Sequence, residues 1–95
     1  MRVRFTKREE RTITLEKFAD TYDLTLDIEE IEGMSKFWAT LRNCRHDNQT
    51  HSEVYGHGKT TILAIQDLAK NMSNRSIFIY DRCRFVVKTP TIVFP

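Results

Sequence analysis

Cysteine, proline and glycine are all scarce in this chain, and so is any long apolar run. Two cysteines, Cys44 and Cys83, among 95 residues are too few for the disulfide framework of a small secreted scaffold, so a reducing compartment is expected. Two prolines and three glycines exclude collagen-like and low-complexity architectures. No apolar stretch approaches the roughly 20 residues of a membrane-spanning helix, so no membrane partner is expected. The opening Met1-Arg2-Val3-Arg4-Phe5 lacks the apolar core of a secretory leader, which makes the cytoplasm the expected location. What is present is an ordinary globular composition, 40% hydrophobic and 29% charged. It fits a single domain near the lower size limit for a self-sufficient core.

The formal charge of +2 is unevenly spread. From Leu15 to Glu32 seven acids (Glu16, Asp20, Asp23, Asp27, Glu29, Glu30, Glu32) stand against one base, Lys17. The first twelve residues are basic instead, with Arg2, Arg4, Lys7, Arg8 and Arg11. Segregation of this kind predicts a bipolar surface and bears on what the protein binds.

Hydrophobic spacing orders the rest. Val3 and Phe5 alternate with arginines, which permits a short edge strand or a frayed tail before Thr12. Thr14 caps a short helix over Leu15 to Tyr22, with Leu15, Phe18, Ala19 and Tyr22 on one stripe. Leu24 to Glu32 alternates as a half-buried strand, with Leu24, Leu26 and Ile28 inward, and Gly33-Met34-Ser35 turns the chain. Lys36 to Cys44 is a second strand, placing Phe37, Ala39, Leu41 and Asn43 on one side and Trp38, Thr40, Arg42 and Cys44 on the other. A polar loop precedes a third strand, His51 to Tyr55. Gly56-His57-Gly58 then reads as a turn whose glycines supply positive φ. Thr60 or Thr61 caps an amphipathic helix with Ile62, Ile65, Leu68, Ala69 and Met72 on its buried face. Ser73-Asn74 ends it, Ser76 to Tyr80 and Arg84 to Val87 form a hairpin around Asp81-Arg82, and Pro90 and Pro95 mark an extended tail. The expected fold is α+β: an antiparallel sheet with two helices on one face, an αβββα core over 12–73 followed by a C-terminal hairpin and tail over 74–95.

Catalytic and metal chemistry find little purchase. Gly58-Lys59-Thr60 ends like a nucleotide-binding phosphate loop, and Ile77-Phe78-Ile79-Tyr80-Asp81 resembles its magnesium-holding strand. The first glycine of the motif would fall at position 53, however, which is Glu53, a carboxylate that would face phosphate oxygens. Cys44, His46, His51, His57 and Cys83 lack the paired spacing of a zinc site. Arg82 and Arg84 flank Cys83, but strand alternation turns them away from its thiol. No nucleophile elbow, carboxylate pair or cofactor fingerprint appears elsewhere. No catalytic residue, metal or cofactor is therefore expected.

The order from Thr14 to Met72 resembles the double-stranded RNA-binding domain. Gly56, Gly58 and Thr60 match that family's two glycines and capping hydroxyl, and Ala64, Leu68 and Ala69 its small or apolar core positions. The cations that would grip phosphates fall at Thr61, Ile62 and Ile65, and Gly33-Met34-Ser35 replaces the histidine-bearing loop between the first two strands. The junction from Gly58 to Ala64 also resembles HicB-type antitoxins, with Leu63 where they carry a glutamate. Over nearly the whole chain, Trp38-Ala39, Gly56, Gly58, Thr60, Ala64, Ile65, Asp67, Leu68, Ala69 and Ser73 are similar to small proteins of bacteriophages and mobile elements. That resemblance implies a non-catalytic protein that binds and blocks a bacterial protein or ribonucleoprotein complex of nucleic-acid processing or defence, as anti-CRISPR proteins do. The expected partner-binding residues are the acids Asp23, Asp27, Glu29, Glu30 and Glu32, spaced to compete for a nuclease's cationic groove. The alternative is nucleic-acid binding through Arg2, Arg4, Lys7, Arg8 and Arg11. An exposed edge strand also leaves room for a homodimer.

Overall fold

The computed structural model describes residues 12–47, 53–80 and 85–94. The basic residues Arg2, Arg4, Lys7, Arg8 and Arg11, the thiol of Cys83 and the hairpin turn at Asp81-Arg82 lie outside them. The elements run β1 (Thr12–Thr14), α1 (Leu15–Thr21), β2 (Thr25–Ile31), β3 (Lys36–His46), β4 (Glu53–Gly58), α2 (Thr61–Met72), β5 (Ser76–Ile79), β6 (Phe85–Lys88) and β7 (Thr91–Val93). The fold is α+β. Five strands form one antiparallel sheet in the order β2-β3-β5-β6, with β4 also paired to β3. The remaining two, β1 and β7, pair with each other in parallel, so the expected extended tail joins Thr12–Thr14 in a small second sheet, while the short strand or frayed tail expected before Thr12 lies outside the described residues.

Local chemistry accounts for the helices. Thr14 accepts the Lys17 N–H and Thr60 the Leu63 N–H, satisfying one orphan donor at each N-terminus. Leu15 and Phe18 of α1 join Leu24, Ala39, Leu41, Val54, Ala64, Leu68 and Met72 in a single buried cluster, so one core serves both helices. Asp23 (φ 55), Ser35 (φ 47) and Asn74 (φ 54) take left-handed backbone where the chain leaves α1, turns between β2 and β3, and leaves α2. These are polar, turn-forming residue types that tolerate or adapt to that region.

The long strand β3 is the spine. Its first half pairs with β2 and β4, and its end pairs with β5, Cys44 opposite Ile79. A register shift lies between Leu41 and Arg45, and Asn43 adopts φ 71. Leu41 faces Val54 but Arg45 faces Glu53, a shift of three residues, and that odd number reverses the alternation beyond it. Cys44, expected beside Trp38 and Arg42, is consequently turned into the core, where it is 1% exposed. The Asn43 carbonyl accepts the Tyr80 N–H at 2.9 Å, fastening the end of β5 to the bulge.

Two expectations about the glycine-rich stretch are overturned. Gly56 and Gly58 lie inside β4, not in a turn, and neither has positive φ. They are glycines because α2 passes directly over them. A Cβ on Gly56 would sit 2.1 Å from the Leu68 nitrogen, and one on Gly58 2.7 Å from the Leu63 Cβ, distances no packed atoms sustain. The same close crossing rolls the helix so that Ala64 meets the strand. Ile62, expected in the core, is 54% exposed.

Candidate functional site

Polar side chains of α2 hold the helix laterally to strands on both sides. The Asp67 carboxylate accepts the His57 backbone N–H at 3.0 Å, and the Asn71 carboxamide donates to the Tyr55 carbonyl at 2.9 Å. Four residues apart on one helix, they satisfy the edge of β4 that β3 leaves open. Across the helix, Gln66 donates to the Phe94 carbonyl, and the Ser73 hydroxyl accepts the Ile92 N–H. Buried Thr89 completes this joint, accepting the Arg75 N–H and donating to the Met72 carbonyl. These contacts assign structural work to Gln66 and Asp67, which sequence spacing places on the solvent side.

The helix α2 covers one side of the five-stranded sheet at β3 and β4. On the other, register places Glu29, Trp38 and His57 in one row and Asp27, Thr40 and Tyr55 in the next. The Trp38 and Tyr55 rings stack with centroids 4.9 Å apart and planes at 23°, and His57 lies 5.9 Å from Trp38. Tyr55 is 42% exposed. The Trp38 indole N–H is covered and among the described residues has no acceptor, an arrangement that costs about 1–3 kcal/mol. An aromatic stack with an orphan donor on an uncovered sheet face is poor design for stability alone. A second aromatic contact stands farther along, where Arg45 covers the Phe78 ring at 4.4 Å.

The five acids expected to share one binding surface divide. Asp27 and Glu29 project on the aromatic side of β2, opposite Thr40 and Trp38, whereas Glu30 pairs with Phe37 on the reverse side. Asp23 sits in the turn before β2 and Glu32 in the turn after it. Asp27 is ion-paired with Arg42. All five thus lie on β2 or at its ends, but not as an evenly spaced row. Among the described residues β2 pairs only with β3, so its acids flank an edge that none of them pairs. Their clustering at that edge is the part of the site that alternation alone does not show.

A polar cleft of about 760 Å³ opens beside β4, lined by His46, Tyr55, His57, Asp67, Asn71 and Arg75 among others. Burial, reinforced by the Arg75 guanidinium, holds the His46 imidazole below the usual histidine range. Asp67 is already committed to the His57 backbone. Among the described residues no group of three or more His, Cys, Asp or Glu side chains is arranged to hold a metal ion. No helix among them is long and apolar enough to cross a membrane. At the start of α2, where RNA-gripping cations would stand in the double-stranded RNA-binding arrangement, Thr61 and Ile62 are exposed and Ile65 is buried. No protein-family model matches this chain, and no curated protein or solved structure matches it.

Proposed function

We propose that this protein is a non-catalytic binding module that docks the uncovered face of its sheet on a protein partner. The observation that carries the reading is the Trp38–Tyr55 stack on that face, with Tyr55 42% exposed. Aromatic side chains with a polar handle are the commonest anchors of protein interfaces. Asp27 and Glu29 on the same face favour a partner with basic groups over a phosphate backbone. The partner we infer is a bacterial nucleic-acid-processing or defence complex that the protein blocks, an anti-CRISPR-like role. That part rests on the resemblance to small phage and mobile-element proteins and on a fold whose helix, three-strand, helix order is compatible with a double-stranded RNA-binding-domain-like arrangement.

The test is capture from bacterial lysate by the immobilised wild-type chain and by Trp38→Ala, with bound proteins identified by mass. The reading requires a discrete complex retained by wild type and lost by Trp38→Ala, with circular dichroism showing both folded. A gel-shift series on RNA and DNA duplexes runs beside it. Duplex binding with a steep salt dependence and no captured protein would establish the nucleic-acid alternative instead.

A further inference from the structure

The strand edges of this sheet are treated unequally. The open edge of β4 is satisfied by Asp67 and Asn71 reaching down from α2. The outer edge of β2, seven residues long, has neither strand nor helix side chains bonded to it among the described residues. An edge of that length is a template for another strand, and proteins that must stay apart blunt it with charge. Here the charge is of one sign. Asp27 and Glu29 stand on one face of the strand, Glu30 on the other, and Asp23 and Glu32 at its ends. Two copies pairing through this edge would set carboxylate against carboxylate, which is destabilising. A strand carrying cations meets no such penalty.

The other face adds a second condition. Leu26 and Ile28 point toward the core side, opposite Leu41 and Ala39, yet Ile28 remains 43% exposed and Leu26 is only half-buried. With no strand beyond β2, the core is incompletely covered at this margin. An added strand with apolar residues at alternate positions would cover Leu26 and Ile28 while its intervening residues met Asp27 and Glu29.

We propose that the outer edge of β2 accepts an extended segment of a partner protein in which basic and apolar residues alternate, added to the sheet as a sixth strand. Backbone hydrogen bonds supply the seat, the carboxylates select the cations, and Leu26 and Ile28 select the apolar residues. Asp27 takes part from its ion pair with Arg42, so Glu29 is the principal selector on the face the cations meet. This inference rests on the proposed role as a protein-binding module and specifies its partner's chemistry.

The probe is a synthetic octapeptide alternating lysine and valine, titrated into the full chain and followed by backbone amide shifts. Three comparisons decide the outcome: the same peptide with glutamate for lysine, the same peptide N-methylated at alternate residues, and the Glu29→Gln chain. We expect saturable shifts confined to residues 25–31 and their β3 partners, no binding of the glutamate peptide, and at least tenfold weaker binding of the N-methylated peptide. The Glu29→Gln chain should bind the lysine peptide at least threefold more weakly. Equal binding of the N-methylated peptide would reduce the effect to loose charge attraction and overturn the proposal. So would shifts away from β2, or no saturation at millimolar peptide. If a captured partner depends on Trp38 while the lysine–valine peptide fails, strand addition is refuted and the binding-module reading stands.

Discussion

Replacing Gly56 by alanine tests the packing of this fold more directly than any other single change. The added Cβ would lie 2.1 Å from the Leu68 nitrogen, 2.6 Å from its Cα and 2.7 Å from the Asp67 carbonyl carbon. All three are helix backbone, so no side chain can swing aside. Restoring contacts of about 3.5 Å requires α2 to retreat by more than about 1 Å. Overpacking of this kind costs about 1–3 kcal/mol. Retreat also stretches the Asp67–His57 and Asn71–Tyr55 hydrogen bonds, adding about 2–4 kcal/mol. A loss of about 3–7 kcal/mol is a large share of a small domain's stability. The control is Gly33→Ala, where φ is +82 and nothing lies within 4 Å, so only left-handed strain of about 1–2 kcal/mol arises. Asparagine sharpens the contrast, since it tolerates left-handed backbone but not a crossing helix: Gly33→Asn should be nearly neutral and Gly56→Asn severe. Urea unfolding followed by circular dichroism measures all four. If Gly56→Ala loses no more than Gly33→Ala, the close approach does not govern this position and the helix placement is wrong.

Other consequences are equally accessible. Asp67→Ala should cost about 1.5–3 kcal/mol and Asn71→Ala about 0.5–1.5 kcal/mol in urea unfolding. The double variant should lose less than their sum, because both hold one strand edge to one helix; strict additivity would count against the shared role. Trp38→Phe removes the orphan indole donor, so its stability should stay within about 1 kcal/mol of wild type although the ring is smaller. A loss of about 3 kcal/mol or more would mean that the N–H has a partner. Because His46 is held below the usual histidine range by burial and by Arg75, the folded state disfavours its proton. That contribution is fully present above the unfolded histidine value and is lost as pH falls through the folded one. His46→Gln should therefore show a smaller drop in urea midpoint between pH 7.5 and 5.5 than wild type, and an equal drop would refute it. Glu29→Val/Glu30→Val should self-associate in sedimentation velocity, since it strips charge from the open edge of β2; a strictly monomeric variant would show that the acids are not needed there.

Much of the architecture is legible in local pattern. Thr14 and Thr60 announce their helices because an N-cap is settled within four residues of chain. The alternation of Leu24, Leu26 and Ile28 and the hairpin of β5 and β6 follow from period-two chemistry in the same way. The class of the fold and the acid-rich character of β2 belong to the sequence by itself. What it leaves undecided are relations between distant segments. Whether Gly56 serves a turn or a crossing helix depends on where the Leu68 backbone lies, twelve residues on. The side on which Cys44 falls depends on a bulge at Asn43 whose purpose is to bring β3 to β5. The parallel joint of β1 with β7 requires the two ends of the described chain to meet. That the Trp38–Tyr55 stack lies on the side of the sheet away from α2, and that β2 among the described residues pairs on one edge alone, are likewise decided by tertiary structure. Periodicity records which residues share a face, but only tertiary packing determines which faces are covered.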